Sequence, residues 1–259
     1  MPQLLDAIQF KNGPKIKNRF FLAPLTNQQS HEDGTLSNDE YKWLTMRAEG
    51  GFGMTMTCAS HVQEIGKGFP RQLGIWSDHH LDGLTRLANG IKKENSVAIV
   101  QLHHAGLRSP KEIINASPVT ASDNEDSGAR GLTTSEVKKL IDDFVAGAKR
   151  AEKAGFDGVE LHGAHSYILC NFLSAEVNQR TDEYGGSFEN RARILFEIIE
   201  GIKSTCRSDF ILGVRLTAEK FGMRTEDSIG TAKMLFDQNV IDFLDMSLWD
   251  VFKKAEDDK

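Results

Sequence analysis

The chain has 259 residues, of which 39% are hydrophobic and 26% charged, which is enough apolar material for one large core. Its formal net charge is −6 and its basic residues are scattered, which weighs against a surface for nucleic acid or an anionic membrane. No apolar run approaches the ~20 residues that span a bilayer, and the first residues lack a signal-peptide pattern. The three cysteines are far apart and form no C-x-x-C pair, which indicates a reducing cytoplasm and no zinc ribbon.

Short apolar runs rich in Val, Ile, Phe and Met alternate with longer segments of helical spacing. In chain order they predict a strand at 19–26, a helix at 37–51, a strand at 52–60, a helix at 77–95, a strand at 96–104, a polar loop at 109–132, a helix at 133–156, a strand at 156–163, a short helix at about 166–173, a helix at 187–204, a strand at 209–217, a helix at 225–240 and a strand at 241–248. Ser37 is the predicted N-cap of the first helix, with Glu40 as its capping-box partner. This alternation predicts right-handed βαβ units and a parallel sheet.

Two parallel α/β architectures fit this order of elements, a barrel of the TIM (β/α)8 type and an open doubly wound sheet. The open sheet usually carries G-x-G-x-x-G after its first strand, whereas this first strand ends in APLTNQQS. Polar residues instead follow several different strands, namely Thr26, Ser60, Gln101, His104, His162 and Arg215. Because a barrel assembles its active site from the carboxyl ends of many strands, the barrel is the better prediction.

A complete barrel of this type has eight strands, and the pattern supplies six before the sequence ends. We therefore expect a single barrel domain over residues 1–259 that contains about six β/α units and lacks strands 7 and 8. Either the chain is a fragment, or the remaining strands come from elsewhere.

One block of the sequence has an unusual density of polar and glycine residues. Residues 157–174 read DGVELHGAHSYILCNFLS, and residues 178–191 read NQRTDEYGGSFENR. Shorter matching segments are APLT at 23–26, LGIWS at 73–77, QLHHAG at 101–106 and GVRL at 213–216. Together they resemble the old yellow enzyme family, which comprises FMN-dependent NAD(P)H oxidoreductases, many of them ene-reductases. Arg180 and Arg191 in this block are expected to brace a loop by pairing with Asp182 or Glu189.

The resemblance implies FMN as cofactor and NAD(P)H as reductant. Arg215 matches the position whose fixed positive charge stabilises the negative charge of the reduced flavin. Gln101 would bind the pyrimidine edge of the ring, and Thr26 would contact the ring near N5 and tune its redox potential. The cofactor-binding backbone is expected at Ala23, Pro24, Leu25 and Ala59. His104 matches a position near the flavin, whereas His103 is expected to pack elsewhere, since adjacent strand residues face opposite sides.

The resemblance also assigns the catalytic residues. His162 and His165 match a pair of imidazole donors that hold the carbonyl oxygen of an α,β-unsaturated substrate. Tyr167 matches the acid that protonates the other alkene carbon, and its phenol has an ordinary pKa near ~10. NAD(P)H and the small-molecule substrate would use one pocket in turn, in ping-pong fashion. Taken alone, a His-x-x-His pair after a strand is often an ordinary loop pair.

Two alternatives follow from the same sequence. A metal-dependent barrel hydrolase would use His103 or His104 with His162 and His165, but APLTNQQS lacks the His-x-His typical of such barrels, so we expect no metal site. A truncated, inactive chain that needs a partner is the other, because in the family the FMN phosphate is held by loops after strands 7 and 8. No nucleic-acid or membrane partner is expected, and a homo-oligomer is open.

Overall fold

The computed structural model of the protein describes residues 2–252 and 254, which form eight β-strands and seven α-helices. The strands are β1 (Phe21–Leu22), β2 (Met54–His61), β3 (Val97–His103), β4 (Val119–Thr120), β5 (Arg130–Gly131), β6 (Gly158–Gly163), β7 (Ile211–Thr217) and β8 (Phe243–Ser247). The helices are α1 (Asn38–Glu49), α2 (Leu81–Lys93), α3 (Lys111–Ile114), α4 (Thr134–Lys153), α5 (Ile168–Leu173), α6 (Phe188–Thr205) and α7 (Thr225–Asp237). No helix in the described part of the chain is long and apolar enough to cross a membrane.

Six of the strands form one curled sheet in the order β1-β2-β3-β6-β7-β8, and every neighbouring pair in it is parallel. Sequential strands are therefore neighbours, and helices connect most of them, as expected for βαβ units. β4 and β5 form a separate two-stranded sheet within the long connection between β3 and β6. Within residues 2–252, β1 and β8 each pair along one side only, so the six strands do not close on themselves.

Side chains alternate between the two faces of the curled sheet, as the geometry of a strand requires. One face packs against the helices in a large cluster that includes Ala98, Val100 and Leu102 of β3. The other face lines the interior, where a smaller apolar cluster is formed by Ile16, Met54, Met56, Val97, Ile99 and Ile211. This inner cluster fills the amino-terminal end of the interior, and polar residues follow it along the same strands.

The predicted start of α1 is confirmed in one respect and wrong in the other. Ser37 is the N-cap, and its Oγ accepts a hydrogen bond from the Glu40 backbone N–H at 3.1 Å. The Glu40 carboxylate does not close a capping box, because it is buried and accepts a hydrogen bond from the Ser30 hydroxyl. A complete capping box occurs instead at α4, between Thr133 and Glu136.

Two predicted segments differ from the structure. The first strand was expected over residues 19–26, but only Phe21–Leu22 pair with β2, and the following residues form an irregular loop at the end of the strand. The loop expected at 109–132 contains α3, β4 and β5, each of four residues or fewer. Segments this short lack enough residues to show a period, so hydrophobic spacing could not predict them.

The two arginines expected to brace a loop are both ion-paired. Arg180 pairs with Asp182 at 2.5 Å, as one of the expected combinations. Arg191, which is 7% exposed, pairs with Asp227 of α7 at 2.6 Å rather than with Glu189. Its Nε also donates to the Leu173 carbonyl at 3.0 Å. Arg191 therefore connects α5, α6 and α7 from a position that is almost fully buried.

Replacing Arg191 by methionine should lower the free energy of unfolding by about 3–5 kcal/mol, because it leaves the Asp227 carboxylate buried without a partner. Urea denaturation measures this change. The control is Arg224→Met, since Arg224 and Glu226 are 59% and 75% exposed at 3.6 Å and their loss should cost about 0.5 kcal/mol or less. Equal unfolding midpoints for the two variants would show that Arg191 does not brace the helices.

Candidate active site at the carboxyl ends of the strands

The carboxyl ends of β2, β3, β6, β7 and β8 bring buried polar side chains to one end of the interior. His162 lies near the end of β6, where its Cα is the register partner of Arg215 on β7. Arg215 in turn is the register partner of Asp245 on β8. On the other side of β6, Gln101 of β3 is the register partner of Glu160. Residues predicted from separate motifs are therefore neighbours here.

His162, His165 and Tyr167 form a tight cluster. The ring centroids of His162 and His165 are 5.0 Å apart, and Tyr167 lies 4.8 Å from His162 and 6.1 Å from His165. His165 adopts a left-handed backbone conformation with φ of 60°, which is rare outside glycine. Its backbone N–H donates to Thr217 Oγ1 at 3.0 Å, so a contact from β7 holds the turn.

The hydrogen bonds of the two histidines set their tautomers. The Ala164 N–H donates to Nδ1 of His162 at 3.3 Å, so the hydrogen of neutral His162 lies on Nε2. That nitrogen is 3.3 Å from Nδ1 of His165, and Nε2 of His165 is 2.6 Å from Ser247 Oγ. The pair therefore forms a donor chain that runs from His162 to His165 to Ser247. A substrate oxygen that accepts from both rings must replace both of these internal hydrogen bonds.

Burial keeps these histidines neutral. It lowers the pKa of His162 well below its ordinary value, and the charge of Arg215 adds to this effect. Burial and Arg215 also lower the pKa of His165 to about 4. Burial raises the pKa of Tyr167, which keeps its proton, while the nearby Arg108 opposes that shift. Near neutral pH the cluster consists of three uncharged hydrogen donors.

His103 lies in this cluster. The sequence had instead predicted that His104 would lie near the flavin and that His103 would pack elsewhere. The His103 ring is 4.3 Å from Tyr167 and 5.5 Å from His162. His104 faces the helices, where its Nε2 contacts Gln63 Oε1 at 3.1 Å and its Nδ1 accepts from the Gly106 N–H at 3.0 Å. The prediction for His103 and His104 was wrong because Gln101 and His103 are two residues apart and so must share a face.

Gln72 fixes the tautomer of His103. Gln72 Oε1 accepts from the Gly68 N–H at 2.7 Å, so its amide nitrogen must be the donor. That nitrogen donates to the Ala59 carbonyl at 2.8 Å and lies 3.0 Å from Nδ1 of His103. Because Nδ1 accepts, the hydrogen of His103 is on Nε2, and that atom has no partner among the described residues.

Arg108 completes the cluster from outside. Its guanidinium lies 5.3 Å from the centre of the Tyr167 ring, and it donates to the His165 carbonyl at 2.8 Å. Arg108 is exposed, so this positive charge borders the site without being part of its dry interior.

Two of the expected flavin-binding residues, Gln101 and Arg215, each contact a carboxyl group near the histidines. Gln101 is 1% exposed, and its Nε2 donates to Glu160 Oε1 at 2.7 Å. Arg215 pairs with Asp245 at 3.1 Å and donates to the Pro24 carbonyl at 3.2 Å. The last contact connects β7 to the loop after β1. The sequence analysis did not predict Glu160 or Asp245 as site residues. Glu160 could have been predicted, because residues two apart on a strand share a face and Glu160 lies two residues before His162.

The remaining expected cofactor residues lie in two places. Ala59 on β2 is buried and is the register partner of Gln101. The loop after β1 contains Ala23 and Leu25, which are exposed, and Pro24 and Thr26, which are half-buried. All of these residues are at the same end of the interior as the histidine cluster. The roles assigned to them stay predictions.

Two buried polar atoms of this site have no protein partner among the described residues. They are His103 Nε2 and Glu160 Oε2. A buried polar atom without a hydrogen bond costs free energy, so such a group indicates a place where another molecule supplies partners. The mixture of donors and acceptors suits a heterocycle that carries both. No group of three potential metal ligands occurs within the described part of the chain.

Comparison with known proteins identifies the family. The family described as NADH:flavin oxidoreductase / NADH oxidase matches residues 3–258. The chain belongs to this family. It is 37% identical over 263 residues to the probable NADH-dependent flavin oxidoreductase YqiG of Bacillus subtilis, covering 97% of this chain and 70% of that protein. It is 35% identical over 242 residues to the NADH:acrylate oxidoreductase of Vibrio harveyi, covering 88% of this chain and 24% of that protein.

The fold comparison agrees with the sequence comparison. The structure of the old yellow enzyme homologue of Zymomonas mobilis superposes with a TM-score of 0.89 at 30% identity, covering 98% of this chain and 77% of that one. The old yellow enzyme resemblance and the TIM-type α/β barrel with about six β/α units are thus confirmed. So are the oxidoreductase class and FMN with NADH or NADPH as cofactor and reductant. Family membership makes the alternative of a metal-dependent hydrolase wrong.

The neutral histidines predict how stability depends on pH. A histidine whose folded pKa is lowered binds fewer protons in the folded than in the unfolded chain, so stability falls as pH decreases from about 6.5. His165 has a pKa of about 4, so replacing it by asparagine should make the free energy of unfolding fall less steeply as pH decreases. The change in slope should correspond to less than one bound proton. Urea denaturation at several pH values from neutral down to about pH 4 measures the slope. His31→Asn, at an exposed position, is the reference variant; a slope for His165→Asn equal to that of the reference and of wild type would contradict a neutral His165.

Proposed function

We propose that this chain reduces the activated C=C bond of α,β-unsaturated carbonyl compounds with NADH or NADPH by ping-pong hydride transfer through FMN. The observation that carries the proposal is the cluster of uncharged donors, His162, His165 and Tyr167. It lies beside Arg215 and one register step above Gln101. Family membership supplies the redox chemistry, and the name of the acrylate-reducing relative supports an alkene next to a carboxyl or carbonyl group as the acceptor.

FMN supplies hydride at N5 of its ring when it is bound and reduced. The residues that would hold the ring are Ala23, Pro24, Leu25, Thr26, Ala59, Gln101 and Arg215. Arg215 would place its positive charge beside the pyrimidine edge, since its guanidinium already contacts the loop after β1. Gln101 would offer its amide to the same edge. The buried Nε2 of His103 fits such a ligand because it has no partner to give up among the described residues.

His162 and His165 would bind the substrate oxygen. Because both rings are neutral, each offers an N–H without adding a positive charge that would repel Arg215. The hydrogen bonds from His162 to His165 and from His165 to Ser247 would both be exchanged for hydrogen bonds to the substrate carbonyl. A carbonyl held by two donors withdraws electrons from the alkene, and the same donors stabilise the enolate that forms when hydride arrives.

Tyr167 would deliver the proton to the other alkene carbon. Its phenol is 7% exposed and contacts the rings of His103 and His162. Burial raises its pKa, so the hydroxyl is protonated at neutral pH and can act as an acid toward an enolate. The substrate alkene and the proton donor would then lie in one pocket, and the same pocket would serve both half-reactions.

A second candidate function has its own supporting observation. Large apolar side chains are exposed in and directly after β8, at one edge of the described sheet, including Met246, Leu248 and Trp249. Exposed apolar side chains beside an unpaired strand are typical of a surface that another segment covers. In this alternative the chain is an inactive fragment that needs a partner chain to bind FMN.

The visible absorption spectrum of the purified chain separates the two candidates. A chain that binds FMN should retain a yellow chromophore after desalting, lose it on anaerobic addition of NADH or NADPH, and regain it with 2-cyclohexenone. Lumiflavin, which has the ring but no phosphate, tests the ring site separately. A chain that remains colourless with both flavins would contradict the proposed function and support the fragment.

Replacing Tyr167 by phenylalanine should slow reoxidation of the reduced flavin by 2-cyclohexenone by roughly 10²–10⁴-fold, because the proton donor is removed. Flavin reduction by NADH needs no proton from Tyr167 and should proceed at the wild-type rate. Anaerobic stopped-flow absorbance measures the two half-reactions separately. Tyr41→Phe, on the outer helix α1, is the matched control. If reoxidation by the enone is as fast in Tyr167→Phe as in wild type, another group is the acid.

A further inference from the structure

Glu160 is a fully buried carboxyl group in the middle of β6 that the proposed reaction does not use. Its side chain is 0% exposed, and it lies two residues before His162 on the same face of the strand. Its register partners are Gln101 on β3 and Gly213 on β7. It therefore occupies the layer directly below the histidine cluster and above the inner apolar cluster.

The two carboxyl oxygens of Glu160 differ in their contacts. Its Oε1 accepts a hydrogen bond from Gln101 Nε2 at 2.7 Å, whereas its Oε2 is buried and has no partner among the described residues. The next layer down contains Ile99 and Ile211, which pack without polar groups. A buried carboxyl group with one empty oxygen costs free energy that an apolar side chain of similar size would not. Packing alone therefore does not explain a carboxyl group at this position.

The charges around Glu160 come from two neighbouring strands. Arg215 of β7 and Asp245 of β8 form an ion pair at 3.1 Å, while His162 on β6 and His103 on β3 are neutral. Burial raises the pKa of Glu160, the negative charge of Asp245 raises it further, and Arg215 opposes both. Glu160 is thus a group near Arg215 whose charge can change; Asp245 is a second, because burial also raises its pKa while Arg215 opposes that shift.

We propose that Glu160 is a positioning residue of the flavin site that fixes the Gln101 amide and adjusts, by gaining or losing a proton, how strongly Arg215 stabilises negative charge on the bound ring. The inference rests on the proposed function. Because Gln101 Nε2 is engaged with Glu160, the Gln101 carbonyl oxygen is left to accept from the ring. When hydride transfer from NADH adds negative charge to the ring, an ionised Glu160 takes up one proton from solvent, which limits the net charge of the buried layer.

The comparison of Glu160→Gln with Glu160→Leu separates the two parts of the inference. Glutamine keeps an oxygen that accepts from Gln101 but cannot ionise, whereas leucine removes both properties. Glu64→Gln is the matched control, because Glu64 is exposed and its replacement removes the same formal charge. The experiment measures the midpoint potential of bound FMN, or of lumiflavin, from about pH 6 to about pH 10, together with the flavin dissociation constant.

We expect wild type and Glu64→Gln to show an interval of pH in which the potential falls more steeply, by up to one additional proton per two electrons. Glu160→Gln should lack this interval and bind flavin with a dissociation constant within about threefold of wild type. Glu160→Leu should lack it too and bind flavin about tenfold more weakly, because the Gln101 amide is free to turn.

Protonation of Glu160 can also be tested in the chain without flavin. A carboxyl group with a raised folded pKa makes the folded chain less stable as pH rises above the ordinary value of a glutamate, and Glu160→Gln should remove that decline in urea denaturation. Wild-type and Glu160→Gln chains with the same potential at every pH and the same stability slope would overturn the inference and leave the proposed function intact. Failure of wild type to bind either flavin would overturn both.

Discussion

Every second residue of a β-strand faces the same side of the sheet, and in a curled sheet one of those sides becomes a narrow interior. This constraint places Gln101 and His103 of β3 beside Glu160 and His162 of β6. On β3, β7 and β8 the interior residues change from apolar at the amino end to polar at the carboxyl end. The step from Ile99 to Gln101 on β3 shows this within two residues. The same strands therefore form both the inner apolar cluster and the polar site.

The polar layer is stable because its members satisfy one another and avoid charge. A buried polar group is costly unless it is hydrogen-bonded, and a buried ion is more costly still. His162 and His165 meet this requirement as neutral rings linked to each other and to Ser247. The positive charge of Arg215 is balanced by Asp245. The few buried atoms that stay without partners then mark where a ligand with its own donors and acceptors is expected.

Much of the fold and part of the site were predictable from particular residues. The six strands of the curled sheet, the N-cap at Ser37 and the block that contains His162, His165 and Tyr167 are encoded by local pattern. The partners of Glu40 and Arg191 were not predictable, because each bonds a residue outside its expected local motif. Glu40 is N3 of a helix with a serine cap, but burial against Ser30 decided its contact. Local motifs predict what a side chain can do, and packing selects among these options.

The sequence by itself determined the order of strands and helices, the family, and the residue types available at the strand ends. Only the tertiary structure decided that His103 rather than His104 faces Tyr167, that Glu160 bonds Gln101, and that Asp245 pairs with Arg215. The reason is physical. Periodicity along one strand specifies which residues share a face, whereas the register between strands, set by packing across the whole sheet, specifies which of those residues meet.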